Sequence, residues 1–232
     1  MAPDGQPDDL ATALAQMARD LLVQETVQQT LDRIVEHAVT LVDGCEHAGV
    51  LAIESGELRT LAATADLARE SDRLQVELGE GPCFDSTLRE EQVYRIVDMT
   101  TEQRWPHYAP KAVALGIGSS MGFLLYTREQ NLGALNVYGG SRKAFTEHSE
   151  HVGWLLASHA AVAFASARSD AQLQQAIASR QEIGEALGIV MERHKVSEQQ
   201  AFDLLRRHSQ ERNIKLRELA RQLTESGELP GQ

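Results

Sequence analysis

From Phe145 to Gly184 the chain contains no strong helix breaker, and that one stretch constrains everything around it. Within it Val152, Leu155, His159, Val162, Ser166, Ser169, Leu173 and Ala176 recur at alternating spacings of three and four, the a/d rhythm of a coiled coil. Two serines thin the seam at its middle. A second stripe, Leu156, Ala160, Ala163 and Ala167, is nearly all alanine, so another helix can approach it closely. The first half of this helix reads as part of a domain core. Residues 165–178 read as a connector or a dimer-forming helix.

What precedes it alternates between helix and strand patterns. Residues 8–42 read as one long helix, with Leu10, Leu14, Met17 and Leu21 on one stripe and Leu31, Ile34, Ala38 and Leu41 continuing it to Gly44. "HAGVLAI" (47–53) and "LRTLAAT" (58–64) read as strands joined by the turn "ESGE". A helix over about 66–76 leads to "GEGPC" (79–83), a turn by composition. "QVYRIVDM" (92–99) is strand-like, a short helix ends at Gly116 or Gly118, and "SSMGFLLYT" and "LGALNVYGG" flank "REQN" as a second hairpin.

After the long stretch the pattern predicts three short helices. The first spans about 180–194, with Ile183, Ala186, Leu187, Val190 and Met191 on one face. Ser197 with Gln200 forms a capping box that starts the second, which runs to about 211 and carries Ala201, Leu204, Leu205 and His208. Asn213 is the expected N-cap of the third, whose Leu216, Leu219, Ala220 and Leu223 form an apolar face before Gly227 and Pro230. Charge separates this tail from the rest. From Arg168 onward ten basic residues balance ten acidic ones, so the net charge of −12 belongs entirely to residues 1–167. Such asymmetry points to two modules with different partners, and a neutral module can still hold phosphate if its cations share a face. No apolar run approaches the roughly 20 residues needed to span a bilayer. The acidic N-terminus "MAPDGQPDDL" lacks the features of a signal peptide, so the expected location is the cytoplasm and no membrane partner is expected.

The succession of elements, and above all "NLGALNVYGGSRKAFTEHSEHVGWLLASHAAVAFASA" (131–167), resembles the GAF domain. The resemblance implies an α+β fold: a central antiparallel sheet with helices on one side and often a small-molecule pocket on the other. The tail resembles the ANTAR domain, the RNA-binding module of bacterial antiterminators. It does so through Arg180, Ile183, Ala186, Gly188, Met191, Ala201, Phe202, Leu205, Arg206, Ser209, Asn213, Leu216 and Ala220, with Leu187 departing where the family often has a basic residue. The implied organisation is a disordered N-terminus (1–7), a GAF-like sensory domain (8–167), a helical connector (168–178) and an ANTAR-type three-helix bundle (179–228). The implied protein is a homodimeric regulator that binds structured RNA hairpin loops and is not an enzyme. A hairpin loop offers phosphates and splayed bases, and arginine suits both. Arg206, Ser209, Arg212 and Asn213, followed by Lys215 and Arg217, fall where they can converge on one patch, and Arg180 joins them as a candidate RNA contact.

Other features carry competing readings. "GEGP" lacks the spacing and Lys-Ser/Thr of a P-loop and reads as a plain turn. Cys83 beside it invites a redox role, since some GAF-like enzymes that reduce free methionine sulfoxide use cysteines near this region; they use more than the two present here, Cys45 and Cys83. His148 and His151 are spaced as a metal pair without an evident third ligand, so no metal is expected. The cyclic-nucleotide signature of some GAF domains is broken after Phe145, where Ser149 and Glu150 stand in place of Asp-Glu. No cofactor is identified, and the small-molecule effector of the sensory domain is left open. Gly188 reads as a site of close helix packing. The last two helices also have the size of a DNA-binding helix-turn-helix, which is the alternative to RNA.

Overall fold

A computed structural model describes residues 7–54, 57–89, 93–128 and 130–228. The chain divides after Arg168 into two compact units.

In the first unit, α1 (Pro7–Leu22) and α2 (Val27–Leu41) precede the hairpin β1 (His47–Glu54) and β2 (Glu57–Ala63). Then come α3 (Asp66–Leu78), α4 (Pro82–Arg89), β3 (Val93–Ile96), a 3-10 turn (Met99–Thr101) and α5 (Ala109–Ala114). The hairpin β4 (Ser119–Tyr126) and β5 (Asn131–Gly139) leads into α6 (Glu147–His194). The five strands form one antiparallel sheet in the order β2-β1-β5-β4-β3. Because strand side chains alternate, its two faces are built from different residues. Ala48, Val50, Met121, Phe123, Leu135 and Val137 join Leu14, Met17, Ile34, Ala38, Leu156 and Ala160 in a core shared with α1, α2 and α6. Burying each large aliphatic side chain there contributes roughly 1.5–3 kcal/mol. A Cβ at Gly153 would meet the Phe123 ring at 2.3 Å, so the missing side chain lets α6 lie directly on the sheet. Tyr94, Ile96 and Tyr138 on the other face pack with Ala68 and Leu74 of α3 and with Tyr108, Ala109 and Ala112 around α5.

Two local expectations need correction. The helix expected over 8–42 is two helices. Thr26 accepts from the Gln29 N–H at 3.1 Å while Gln29 Oε1 accepts from the Thr26 N–H at 3.1 Å, a capping box that starts α2 afresh. The sequence carries the signal in Gln24, Glu25 and Gln28, which leave the apolar stripe empty between Leu21 and Leu31. Thr26→Ala is expected to lower stability by about 1 kcal/mol, read as a shifted urea midpoint with an unchanged slope. The second correction is α4, read from sequence as part of a turn. Gly79 ends α3 in the left-handed conformation (φ 62°), and Pro82 opens α4 at the position where a missing N–H costs nothing. The N-terminal residues expected to be disordered lie outside the described residues except Pro7, which begins α1. Ser55 and Gly56 of the "ESGE" turn, Glu129 of "REQN" and the stop at Pro230 also lie outside them.

The second unit, 169–232, contains the C-terminal part of α6, then α7 (Glu198–Arg212) and α8 (Leu216–Ser226). The separate helix expected over 180–194 is the end of α6, which passes through both Gly184 and Gly188. Two mid-helix glycines, at about 1 kcal/mol each against alanine, are too weak a break to stop a helix held by packing on its other face. Ala186, Val190, Ala201, Leu205, Leu219, Ala220 and Leu223 form the buried core of this unit, with Ile183, Leu187, Met191, Leu204 and Leu216 against it. Ser197 and Gln200 make the expected capping box of α7.

Candidate functional site

The joint between α7 and α8 is tight. The Asn213 N–H donates to the Gln210 carbonyl at 3.2 Å and the Ile214 N–H to the Ser209 carbonyl at 3.1 Å, the Schellman arrangement. Asn213 sits at φ 53°, a left-handed position that asparagine tolerates. It therefore closes α7 and does not cap α8; Lys215 occupies the N-cap of α8 without a side-chain cap. The Ser209 hydroxyl donates to the Ile214 carbonyl at 2.6 Å, leaving only its lone pairs for another donor. Ile214, partly buried, is drawn onto the bundle core. The consequence is chemical: Arg212, Lys215 and Arg217, all exposed, fall within six residues of a fixed turn, and no ion pair holds any of them among the described residues.

The remaining sequence candidates are placed differently. Arg206, about two helical turns before Asn213, pairs with Asp203 at 3.3 Å. Arg180 is exposed on α6, and no hydrogen bond or ion pair among the described residues joins it to the turn. Gly188 does not serve close packing within the chain: a Cβ there would meet nothing within 4 Å, and the residue lines an open groove of about 860 Å³ with Glu185, Ile189, Arg193 and Thr224. A Cβ at Gly227, the C-cap of α8, would lie 4.0 Å from the Arg193 guanidinium, where a cation faces the negative end of the helix dipole.

The first unit holds a polar cluster that sequence reasoning missed. Asp72 of α3 is fully buried; its Oδ2 accepts from Thr60 of β2 at 2.9 Å. Its Oδ1 accepts from Asn136 Nδ2 and the Tyr138 hydroxyl of β5, both at 3.0 Å. All three donors are neutral and Asp72 takes part in no ion pair among the described residues, so burial pushes its carboxyl up from 3.8 to about 6, with the hydrogen bonds offsetting only part of that. Beside it the Cys83 thiol donates to Asn136 Oδ1, and Ser71 bonds the Tyr108 hydroxyl at 2.8 Å. The only available sequence signal was period-two: Asn136 and Tyr138 interrupt the apolar β5 on one face, and nothing local ties them to Asp72, 64 positions away.

Local geometry also accounts for the other motifs. In "GEGPC", Glu80 Oε2 accepts from the His107 and Tyr108 N–H groups just before α5. Gly81, at φ 130°, leaves the space that the Gln75 side chain fills, and Gln75 Oε1 accepts from the Cys83 N–H at 2.9 Å. The stretch is a junction between α3, α4 and α5. The Cys83 thiol is fully buried, and burial followed by the Asp72 charge holds it well above its usual value, the opposite of a nucleophilic thiolate. Ser149 is buried and closes a capping box with Thr146 at the start of α6, while Glu150 pairs with Arg95 at 3.3 Å. His148 and His151 are exposed, and among the described residues no three His, Cys, Asp or Glu side chains gather for a metal ion.

A five-stranded antiparallel sheet covered on both faces, followed by a long helix and a small helical core, makes this an α+β domain with an all-helical domain after it. The GAF family model matches residues 24–165, and the ANTAR family model matches residues 171–223. The chain belongs to the GAF domain family and carries an ANTAR domain after it, both sensory and regulatory rather than catalytic modules. No curated protein matches it in sequence. Among solved structures it is similar to the GAF domain of a phosphoenolpyruvate-protein phosphotransferase from Coxiella burnetii, at 19% identity and TM-score 0.57 over 71% of this chain and 98% of that one. The corresponding Acinetobacter domain gives 13% identity and TM-score 0.54 over 72% and 99%. The photosensory core module of a Stigmatella aurantiaca phytochrome gives 12% and 0.61, over 90% of this chain but only 46% of that one. The chain likewise spans 62% of the chromophore-binding domain of a bacteriophytochrome from R. palustris. Identities this low establish the fold alone. No described helix is long and apolar enough to cross a membrane.

Proposed function

We propose that the protein is a transcription antitermination regulator of the cytoplasm: its GAF domain receives a signal, and paired ANTAR domains bind structured leader-RNA hairpins and prevent termination. The observation that carries this reading is the α7–α8 turn, where Arg212, Lys215 and Arg217 stand exposed and, among the described residues, free of ion pairs, in a unit of nearly balanced charge. A cluster of this kind concentrates phosphate-binding groups on a rigid turn, and the neighbouring Asn213 side chain and Ser209 lone pairs add hydrogen-bonding capacity to it. Arg206 lies about two helical turns away and Arg180 lies on another element; both belong to a wider contact surface in this reading. Selection from a pool of RNA hairpins with randomised loops tests it: the full chain should enrich a defined loop.

Pairing of two copies completes the proposal. Residues 169–178 of α6 are exposed on every side, with Leu173 at 58% and Ile177 at 52%, and Val162 of the first unit at 62%. Val162 and Leu173 belong to the seam that the heptad spacing defines and Ile177 stands beside it, left uncovered in a single copy. The expected mass by light scattering at micromolar concentration is that of a dimer, and Leu173→Glu with Ile177→Glu should return a monomer. A wild-type monomer at that concentration contradicts the pairing.

A further inference from the structure

Between β2 and α3 a cleft of about 250 Å³ opens on the first unit. Leu51, Leu58 and Val76 form its walls, and Thr60 and Asp72 lie at its floor. It is smaller than the roughly 300–1,000 Å³ of pockets that take drug-sized molecules. The three hydrogen bonds Asp72 accepts all come from neutral groups, and a neutral amide would serve them as well, with the Thr60 hydroxyl turned to accept. What the carboxylate adds is charge, and a buried charge without a counter-ion is unfavourable. Of the charged residues that also line the cleft, Arg73 is held by Glu70 and Glu77, and Arg59 by Glu57; Arg69 of α3 acts on Asp72 through its charge without an ion pair to it among the described residues. The unit as a whole carries nearly all of the chain's net negative charge.

We infer that this cleft binds a small organic cation, an ammonium group on a short apolar body, with the ammonium displacing the Thr60 hydroxyl from Asp72 and the body lying against Leu51, Leu58 and Val76. The inference rests on the sensory reading of the GAF domain and gives the chemical class of its effector. Apolar walls exclude ions that are all charge, and the carboxylate excludes anions, so selectivity follows from the lining. The bound cation supplies the counter-charge that the fold withholds. It also releases β2 from Asp72, since the ammonium takes the place of the Thr60 hydroxyl, while the bonds to Asn136 and Tyr138 of β5 are kept, and that change in how α3 is tied to the sheet is the physical change a sensor requires.

Titration calorimetry on the full chain at pH 8, with n-hexylammonium as the probe and n-hexanol and hexanoate as matched controls, tests this. Hexylammonium should bind and the alcohol and carboxylate should not. Affinity should fall about tenfold or more at pH 5, where Asp72 is protonated, and equally in Asp72→Asn at pH 8. The titratable neighbours that face Asp72, namely Cys83 of α4, Tyr108 and Tyr138, have their values raised and stay neutral across that range, and the other charged group acting on it is Arg69 of α3. Val76→Trp, at a position 40% exposed, fills the cleft without touching the polar cluster and should abolish the heat. No heat with hexylammonium, undiminished binding in Asp72→Asn, or equal binding of hexanoate would overturn the inference. Hairpin RNA binding, measured on the same samples, reports separately on the regulatory reading.

Discussion

Arg212→Ala, Lys215→Ala and Arg217→Ala combined are expected to weaken hairpin binding by roughly a hundredfold and to flatten its salt dependence. The three side chains are exposed and make no ion pair or side-chain hydrogen bond among the described residues, so their removal should leave the thermal midpoint nearly unchanged. Each phosphate contact on a single strand contributes about −0.7 to the slope of log K against log salt, so losing three should reduce the slope by roughly 2. Arg206→Ala should cost less, because its guanidinium is already partly screened by Asp203. Arg193→Ala should act on stability through the α8 C-terminus and leave the slope alone. Equal loss of affinity from Arg193→Ala and from the triple replacement would place the interface elsewhere.

The second large effect lies in the other unit and concerns pH. Asp72 has its folded value raised from 3.8 to about 6, so between those limits the native state binds more protons than the unfolded chain. The contribution of this group is therefore most favourable below about pH 4 and is lost as pH rises through 6. The difference of about two pH units corresponds to roughly 3 kcal/mol at pH 8. Asp72→Asn keeps the acceptor for Asn136 and Tyr138 and removes the charge, so it should be more stable than wild type at pH 8 and show no such loss between pH 4 and 7. Thermal unfolding across that range measures it. A variant less stable than wild type at pH 8 would mean that the fold stabilises the carboxylate more than burial opposes it.

Much of this fold is written locally. The apolar runs of β1, β4 and β5, the Ser197 capping box and the apolar stripes of α7 and α8 are short-range patterns, and each appears where the sequence puts it. The misreadings share a cause. Over 8–42 two stripes of correct period hid a break that only the Thr26–Gln29 pair reveals, and at Gly184 an expected stop yielded to the packing of Ala186 and Val190. Asn213 reads as an N-cap of α8 yet closes α7, because a left-handed C-terminal residue and an N-cap favour the same side chain. For the candidate sites, the basic residues of the turn were visible in the sequence, whereas their freedom from ion pairs was not. The Asp72 cluster was invisible, since its members come from β2, α3 and β5 and meet only through the sheet.

Equilibrium titration of the full chain against a hairpin RNA selected from the random-loop pool, and against duplex DNA of the same sequence, across a range of salt concentrations tests the central claim most directly. The account predicts tight binding of the hairpin with a steep salt slope that flattens in the Arg212, Lys215 and Arg217 variant, and much weaker binding of the duplex. Equal affinity for hairpin and duplex, or a hairpin slope unchanged in the variant, would contradict it.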